Sequence, residues 1–248
     1  MNFHSRNEDV LPLAVHTSAS PAARACAIPR YLSTYYWWAY IHPRGLRIFE
    51  HPWIVNLILF GNYARLRDVA LHEMGEHLPG RTLQVACVYG NLTSRLCQRV
   101  AASGGSMDVV DVLPIQLGNL RRKLPPDAPA ALLTMDSSAL DLPNESYDRA
   151  LVFFLLHEQP RQVRERTVQE VLRVVKPGGK IVIVDYARPR WWHPLRYIWR
   201  PLLARLEPFA LDLWREDITA LLPAPWAERK VRRESFFGGL YQKVVITR

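Results

Sequence analysis

An α/β fold on a doubly wound, mostly parallel sheet is what this chain predicts, on three observations. From residue 82 onward, short apolar runs alternate with helical patterns. The run over 148–156 shows no polar alternation, as expected of a strand covered on both faces. Lys176-Pro177-Gly178-Gly179 forms a tight turn between a helical pattern and a further apolar run. Repeated strand–helix units imply parallel pairing with right-handed crossovers, which puts a ligand at the carboxyl ends of the strands.

Taken in order, residues 1–28 mix Ser, Ala, Pro and charge and read as a disordered tail, without the basic start and apolar core of a signal peptide. Residues 29–80 form an aromatic helical extension that carries Tyr31, Tyr35, Tyr36, Trp37, Trp38 and Tyr40, then Phe49, Trp53, Phe60 and Tyr63. Pro43 and Pro52 cut it, and 53–72 has apolar residues at helical spacing. Residues 81–248 are the sheet domain. Its strands are expected at 82–88, 107–112, 131–135, 148–156 and 180–186, and its helices at 91–102, 114–123 and 161–175. Residues 187–226, rich in Trp, Arg and Pro, read as a helical cap in which Pro189, Pro194 and Pro201 prevent one long regular helix. Two last strands, 230–234 and 240–247, flank Phe236-Phe237-Gly238-Gly239 as an antiparallel edge.

A chain of 248 residues suits one such domain, and Cys26, Cys87 and Cys97 have neither disulfide nor metal spacing. The net charge of +9 favours an anionic partner. No RNA-reading motif appears, and the basic residues cluster with Trp over 188–200, a composition suited to a lipid headgroup interface. No apolar run approaches the ~20 residues that span a bilayer.

The chemistry concentrates at the strand ends. Gly90 follows the first strand, where it lets the backbone approach a ligand or simply makes a tight turn. Asp111 ends the second strand, placed to accept from ribose hydroxyls or to cap a turn. Asp136-Ser137-Ser138 follow the third strand and suit an exocyclic amine or a helix N-cap. His157 and Glu158 follow the fourth, an imidazole beside a carboxylate that can act as base or metal ligand.

Tyr147-Asp148, the fourth strand and residues 174–186 resemble class I S-adenosylmethionine (SAM)-dependent methyltransferases, which have a Rossmann-like sheet. The nearest branch is that of the ubiquinone/menaquinone C-methyltransferases, whose pattern continues in 53–61 and 139–143. The aromatic block 35–42, the segment 56–68 and the turn 85–91 are similar to the RquA-type rhodoquinone biosynthesis family. Methyltransferases carry an acid and then Gly-x-Gly-x-Gly at this turn, whereas here only Gly90 keeps the register and Gln84 holds the acid's place.

The narrower resemblance implies that ubiquinone is converted to rhodoquinone, an amino group replacing a ring methoxy. SAM would be the amino donor and a divalent metal such as Mn2+ would assist. It implies cofactor contacts from Val88, Tyr89, Gly90, Thr93, Asp111, Asp136, Ser137 and Phe153, catalysis by His157 and Glu158, and metal ligation by His157, Glu158 and Asp185. Substrate contacts are expected from Asn62, Tyr63, Trp191 and Trp192, and the bulk of Cys87, Val88 and Tyr89 would move the amine end of SAM. The protein would sit peripherally on the cytoplasmic face of a bacterial inner membrane, or the matrix face of a mitochondrial one, with no nucleic-acid partner. A conventional quinone C-methyltransferase and a non-catalytic scaffold subunit are the alternatives.

Overall fold

Seven strands form one sheet in a computed structural model that describes residues 28–36, 49, 51–207, 209–223 and 231–248. They are β1 (Arg81–Val85), β2 (Ser106–Asp111), β3 (Ala130–Thr134), β4 (Tyr147–Phe153), β5 (Val175–Tyr186), β6 (Val231–Phe236) and β7 (Tyr241–Thr247), in the order β3-β2-β1-β4-β5-β7-β6. β1 to β5 are parallel, β7 is antiparallel to β5, and β6 is antiparallel to β7. The apolar runs of β4 and β5 lie at the centre, where Ala150, Leu151, Val182 and Val184 are fully buried. The order reverses between β1 and β4, and that switch point opens a crevice at the carboxyl ends.

The helices are α1 (Arg30–Tyr35), α2 (Pro52–Ile58), α3 (Tyr63–Met74), α4 (Leu92–Ala102), α5 (Pro114–Lys123), α6 (Arg161–Val174), α7 (Leu195–Leu206) and α8 (Asp212–Arg215). α3 joins the core through Leu66, Ala70, Leu71 and Met74. Its Glu73 pairs with Lys243 at 3.0 Å and with Arg232, which ties α3 to the β6–β7 edge.

Four expectations are corrected. The 53–72 segment is two helices, because Phe60 (φ 49°) and Gly61 (φ 77°) turn the chain between α2 and α3. β1 ends at Val85, since Ala86 takes φ 72° and leaves the ladder. β5 begins at Val175 rather than 180, with a register irregularity against Tyr147/Arg149 beside the Pro-Gly-Gly turn. That turn is pinned by Gly178 N donating to Arg248 O and Arg248 N donating to Gly179 O. Pro189 and Pro194 do lie before α7, Pro194 as its N-cap, but Pro201 stands within the helix on its exposed side without breaking it. The expected tail, Cys26 and the aromatic residues Trp37, Trp38 and Tyr40 lie outside the described residues. No described helix is long and apolar enough to cross a membrane.

Candidate cofactor and substrate pocket

A cavity of about 560 Å³ opens at the carboxyl ends of the parallel strands. Its floor is residues 86–89 after β1, Asp111 of β2, 135–137 after β3, and 153–155 at and beyond the end of β4. Its other walls are apolar: Tyr31, Leu32 and Tyr36, the 57–60 stretch, and Trp199, Leu202 and Leu203 of α7. This size and an apolar lining with few polar groups are those of a small-molecule site. Backbone strain gathers here. Of the five described non-glycine residues with positive φ, Phe60, Ala86 and Phe154 line the cavity.

The altered turn is held by the protein's own groups. Gln84 is fully buried and does not reach the pocket; its Nε2 donates to Ala86 O and Thr93 Oγ1, both at 2.9 Å. Thr93 is therefore Gln84's partner and, contrary to expectation, not part of the lining. Ala86 occupies the register of the first family glycine and takes a left-handed φ of 72°. Tyr63 Oη accepts from Asn91 N (2.9 Å) and Leu92 N (3.2 Å) and donates to Tyr89 O (3.1 Å), so it satisfies the first amides of α4. Gly90 (φ 80°) is required because a Cβ there would collide with the Tyr63 hydroxyl. Gly90 itself does not line the cavity, whereas Val88 and Tyr89 do. Asn62, an expected substrate residue, instead donates to Leu59 O and Phe60 O and braces the α2–α3 turn.

The opposite end of the floor carries acids. Asp111 Oδ2 accepts from Cys87 N and its Oδ1 from Leu113 N, each at 2.8 Å. Burial, against these bonds, pushes its carboxyl up to about 6. Asp136 Oδ1 accepts from Ser138 N and Oγ, and Ser137 Oγ accepts from Gln159 Nε2 at 2.9 Å. Gln159 Oε1 is buried at the pocket wall without a hydrogen-bond partner among the described residues. An unpartnered acceptor beside Ser137 suits the exocyclic amine of an adenine ring.

His157 stands between sheet and cap. Its Nδ1 lies 2.8 Å from Asp185 Oδ1, and its Nε2 lies 3.7 Å from Glu158 and 3.6 Å from Glu207. Burial opposes its charge, yet Asp185, with Glu207 and Glu158 behind it, raises it to about 9. Burial likewise raises the Glu207 carboxyl. At neutral pH the imidazole keeps its proton, with the two glutamates standing beside its Nε2. Arg164, fully buried, fixes this corner by donating to Leu156 O, Gln159 O and Phe209 O.

The geometry gives the metal expectation no support. Asp185 Oδ1 also accepts from Tyr186 N, and Oδ2 accepts from Leu156 N and His157 N, so this carboxylate is committed to backbone and imidazole. No group of three His, Cys, Asp or Glu among the described residues is placed to hold a metal ion. Trp191 and Trp192 are 74% and 52% exposed and lie outside the lining. Phe153 does line the pocket, and so do Trp199, Tyr186, Phe154, Gln159 and Glu207, which the sequence reading passed over. Glu207 carried no local signal, being one of four acids among the arginines of the cap.

Sheet order, a switch-point pocket and an acid ending β2 are those of a Rossmann-like fold of the class I SAM-dependent methyltransferase type. Residues 82–179 match the family model described as a methyltransferase domain. An uncharacterized methyltransferase of Synechocystis is 26% identical over 79% of this chain and 92% of its own length. The ubiquinone/menaquinone biosynthesis C-methyltransferase UbiE of Syntrophotalea carbinolica is 31% identical over 54% of this chain, which spans about half (55%) of that relative. Phosphoethanolamine N-methyltransferase 2 of Haemonchus contortus, solved in complex with SAM, superposes with a TM-score of 0.57 at 13% identity, over 76% of this chain and 53% of that one. Residues 82–179 are thus similar to a methyltransferase domain, and the solved structure shares the fold. The residues present fit SAM unevenly. Asp111, Asp136 and the free Gln159 acceptor suit the adenosine half, while the turn that would flank the amino-acid half is filled by Tyr63 and Tyr89.

Proposed function

We propose that this protein uses SAM to modify the ring of a quinone such as ubiquinone. The observation that carries the reading is the shared cavity, in which the acidic strand ends meet walls of Phe60, Trp199 and Leu203. Bound SAM supplies an electrophilic methyl and a free amine. Asp111 and Asp136 would hold its adenosine half, and the apolar walls would take the quinone ring and exclude water. Glu158 and Glu207, beside a charged His157, would accept a proton released from the ring.

Two products are open to such a site. Ring C-methylation is the chemistry in the name of the UbiE relative and is the better supported. Exchange of a ring methoxy for an amino group, giving rhodoquinone, is the second reading. The observation that favours it is the turn, where Tyr63, Val88 and Tyr89 add bulk that would crowd the amino-acid end of a bound SAM and could move its amine. Purified protein incubated with SAM and a short-tail ubiquinone, or its demethylated precursor, decides by product mass. A gain of one CH2 unit identifies methylation, and loss of methoxy with gain of amino identifies the exchange. SAM binding by calorimetry without either product would leave a non-catalytic subunit.

A further inference from the structure

α7 is apolar on two sides. Leu195, Trp199 and Leu203 pack inward on the core and pocket, and Trp199 meets Phe60 with ring centroids 4.5 Å apart. The outward side carries Tyr197 (68% exposed), Ile198 (65%) and Leu202 (39%). α2 repeats the pattern: Leu57 is 68% exposed and Trp53 65%, whereas Val55 and Ile58 face the pocket. Apolar side chains left exposed beside one another in this way mark an interaction surface.

The patch and the pocket are continuous. Leu57 and Leu202 belong to the cavity lining and are also exposed, so the cavity reaches the surface between α2 and α7. The cap segment that carries α7 also carries a run of arginines: Arg188, Arg190, Arg200 and Arg205 are exposed, and Arg196 is half-buried. Among the described residues none of the five forms an ion pair with a carboxylate. Arg67, Arg81, Arg161 and Arg173, away from the cap, each have one. The segment is held in place: Arg190 N donates to Gly238 O, Arg190 lies over the Trp192 ring, and Tyr197 Oη donates to Trp191 O.

We infer that α2 and α7 together form a docking surface for an anionic phospholipid bilayer, with the pocket mouth at its centre. Apolar side chains around the opening enter the acyl boundary while unpaired arginines meet lipid phosphates, an arrangement suited to interfacial helices. A hydrophobic substrate then passes from bilayer to pocket without crossing water. Only the identity of that substrate rests on the quinone reading; membrane docking stands without it.

The test is flotation of the full chain with vesicles of phosphatidylcholine alone or with added phosphatidylglycerol, alongside turnover of a short-tail, water-dispersed quinone. Binding is expected to favour the anionic vesicles about tenfold or more at low salt and to fall as salt rises. Trp53→Ser and Ile198→Glu, both outside the pocket lining, each weaken binding about fivefold or more. Arg190→Gln with Arg200→Gln removes most of the preference for anionic lipid. Unchanged thermal unfolding in these variants keeps folding out of the comparison. Turnover of the dispersed quinone stays the same in all of them. Vesicle binding that persists without any turnover would reject the quinone reading but not the surface. Equal binding by wild type and the Trp53 and Ile198 variants, or a wild-type dimer that Ile198→Glu splits while vesicles are ignored, would overturn the surface.

Discussion

The two ends of the pocket floor are built in opposite ways. At the β1 end the protein meets its own needs: Gln84 binds Thr93, and the Tyr63 hydroxyl takes the first amides of α4. At the β2–β3 end, carboxylates and an unpartnered Gln159 oxygen face a cavity. Gln84, which departs from the family pattern, is thus spent on the chain itself, whereas Asp111 and Asp136 reach the cavity while also bonding neighbouring backbone. Loss of glycines at the turn is therefore repacking around Tyr63, with the cofactor groups of the other end left in place.

The comparison breaks most severely at Gly90. Gly90→Ala places a Cβ against Tyr63 at a left-handed φ and is expected to cost about 2–4 kcal/mol in denaturant unfolding. The cost shrinks in a Tyr63→Ala background, which removes the collision and leaves only the backbone term. Equal costs in both backgrounds would show that the turn is not packed on Tyr63.

Asp185→Asn is expected to cost about 2–3 kcal/mol, since one carboxylate serves three amides and the His157 ring. It also carries a pH signature. The folded-state value of His157, about 9, lies above the ordinary one of about 6.5, so its contribution to stability is full below pH ~6.5 and disappears as pH rises through 9. NMR titration of the ring should show the midpoint fall in Asp185→Asn, and the stability loss between pH 7 and 9 should flatten with it.

Gln84→Leu removes the ties to Ala86 and Thr93 while keeping side-chain volume, and about 1–3 kcal/mol should be lost in thermal unfolding. Because Gln84 does not reach the cavity, SAM affinity by calorimetry should change by less than about threefold. A larger drop would place the cofactor against the turn's interior.

The smallest effect belongs to the other end. Asp111 has a folded-state value of about 6, above that of an unfolded carboxyl, so lowering the pH protonates it within the native range. If ribose hydroxyls donate to its charged form, SAM affinity falls by up to about tenfold between pH 7 and 5. Asp111→Asn should bind weakly and lose this pH dependence.

Much of the fold was legible in the chain. Strand and helix periods, Pro114 opening α5 and the Pro-Gly-Gly turn are local signals that act within a few residues. The antiparallel edge and the acids at the strand ends followed from the same register. Breaks set by backbone conformation were not legible, since Phe60 and Ala86 take left-handed φ that their side chains do not advertise.

Sequence by itself determined the parallel sheet, the end of the sheet that carries the site, and the anomaly at 84–90, because hydrophobic period and turn chemistry are short-range. Only the tertiary structure decided what the anomaly means. The Tyr63–Gly90 contact spans 27 positions, the His157–Asp185 pair 28, and Glu207 comes to His157 from a cap 50 residues further on. Such contacts depend on how α3, the sheet and α7 pack together, and no local pattern encodes that distance. At the turn, packing converted an apparent loss of function into a tyrosine-capped helix beside an open pocket.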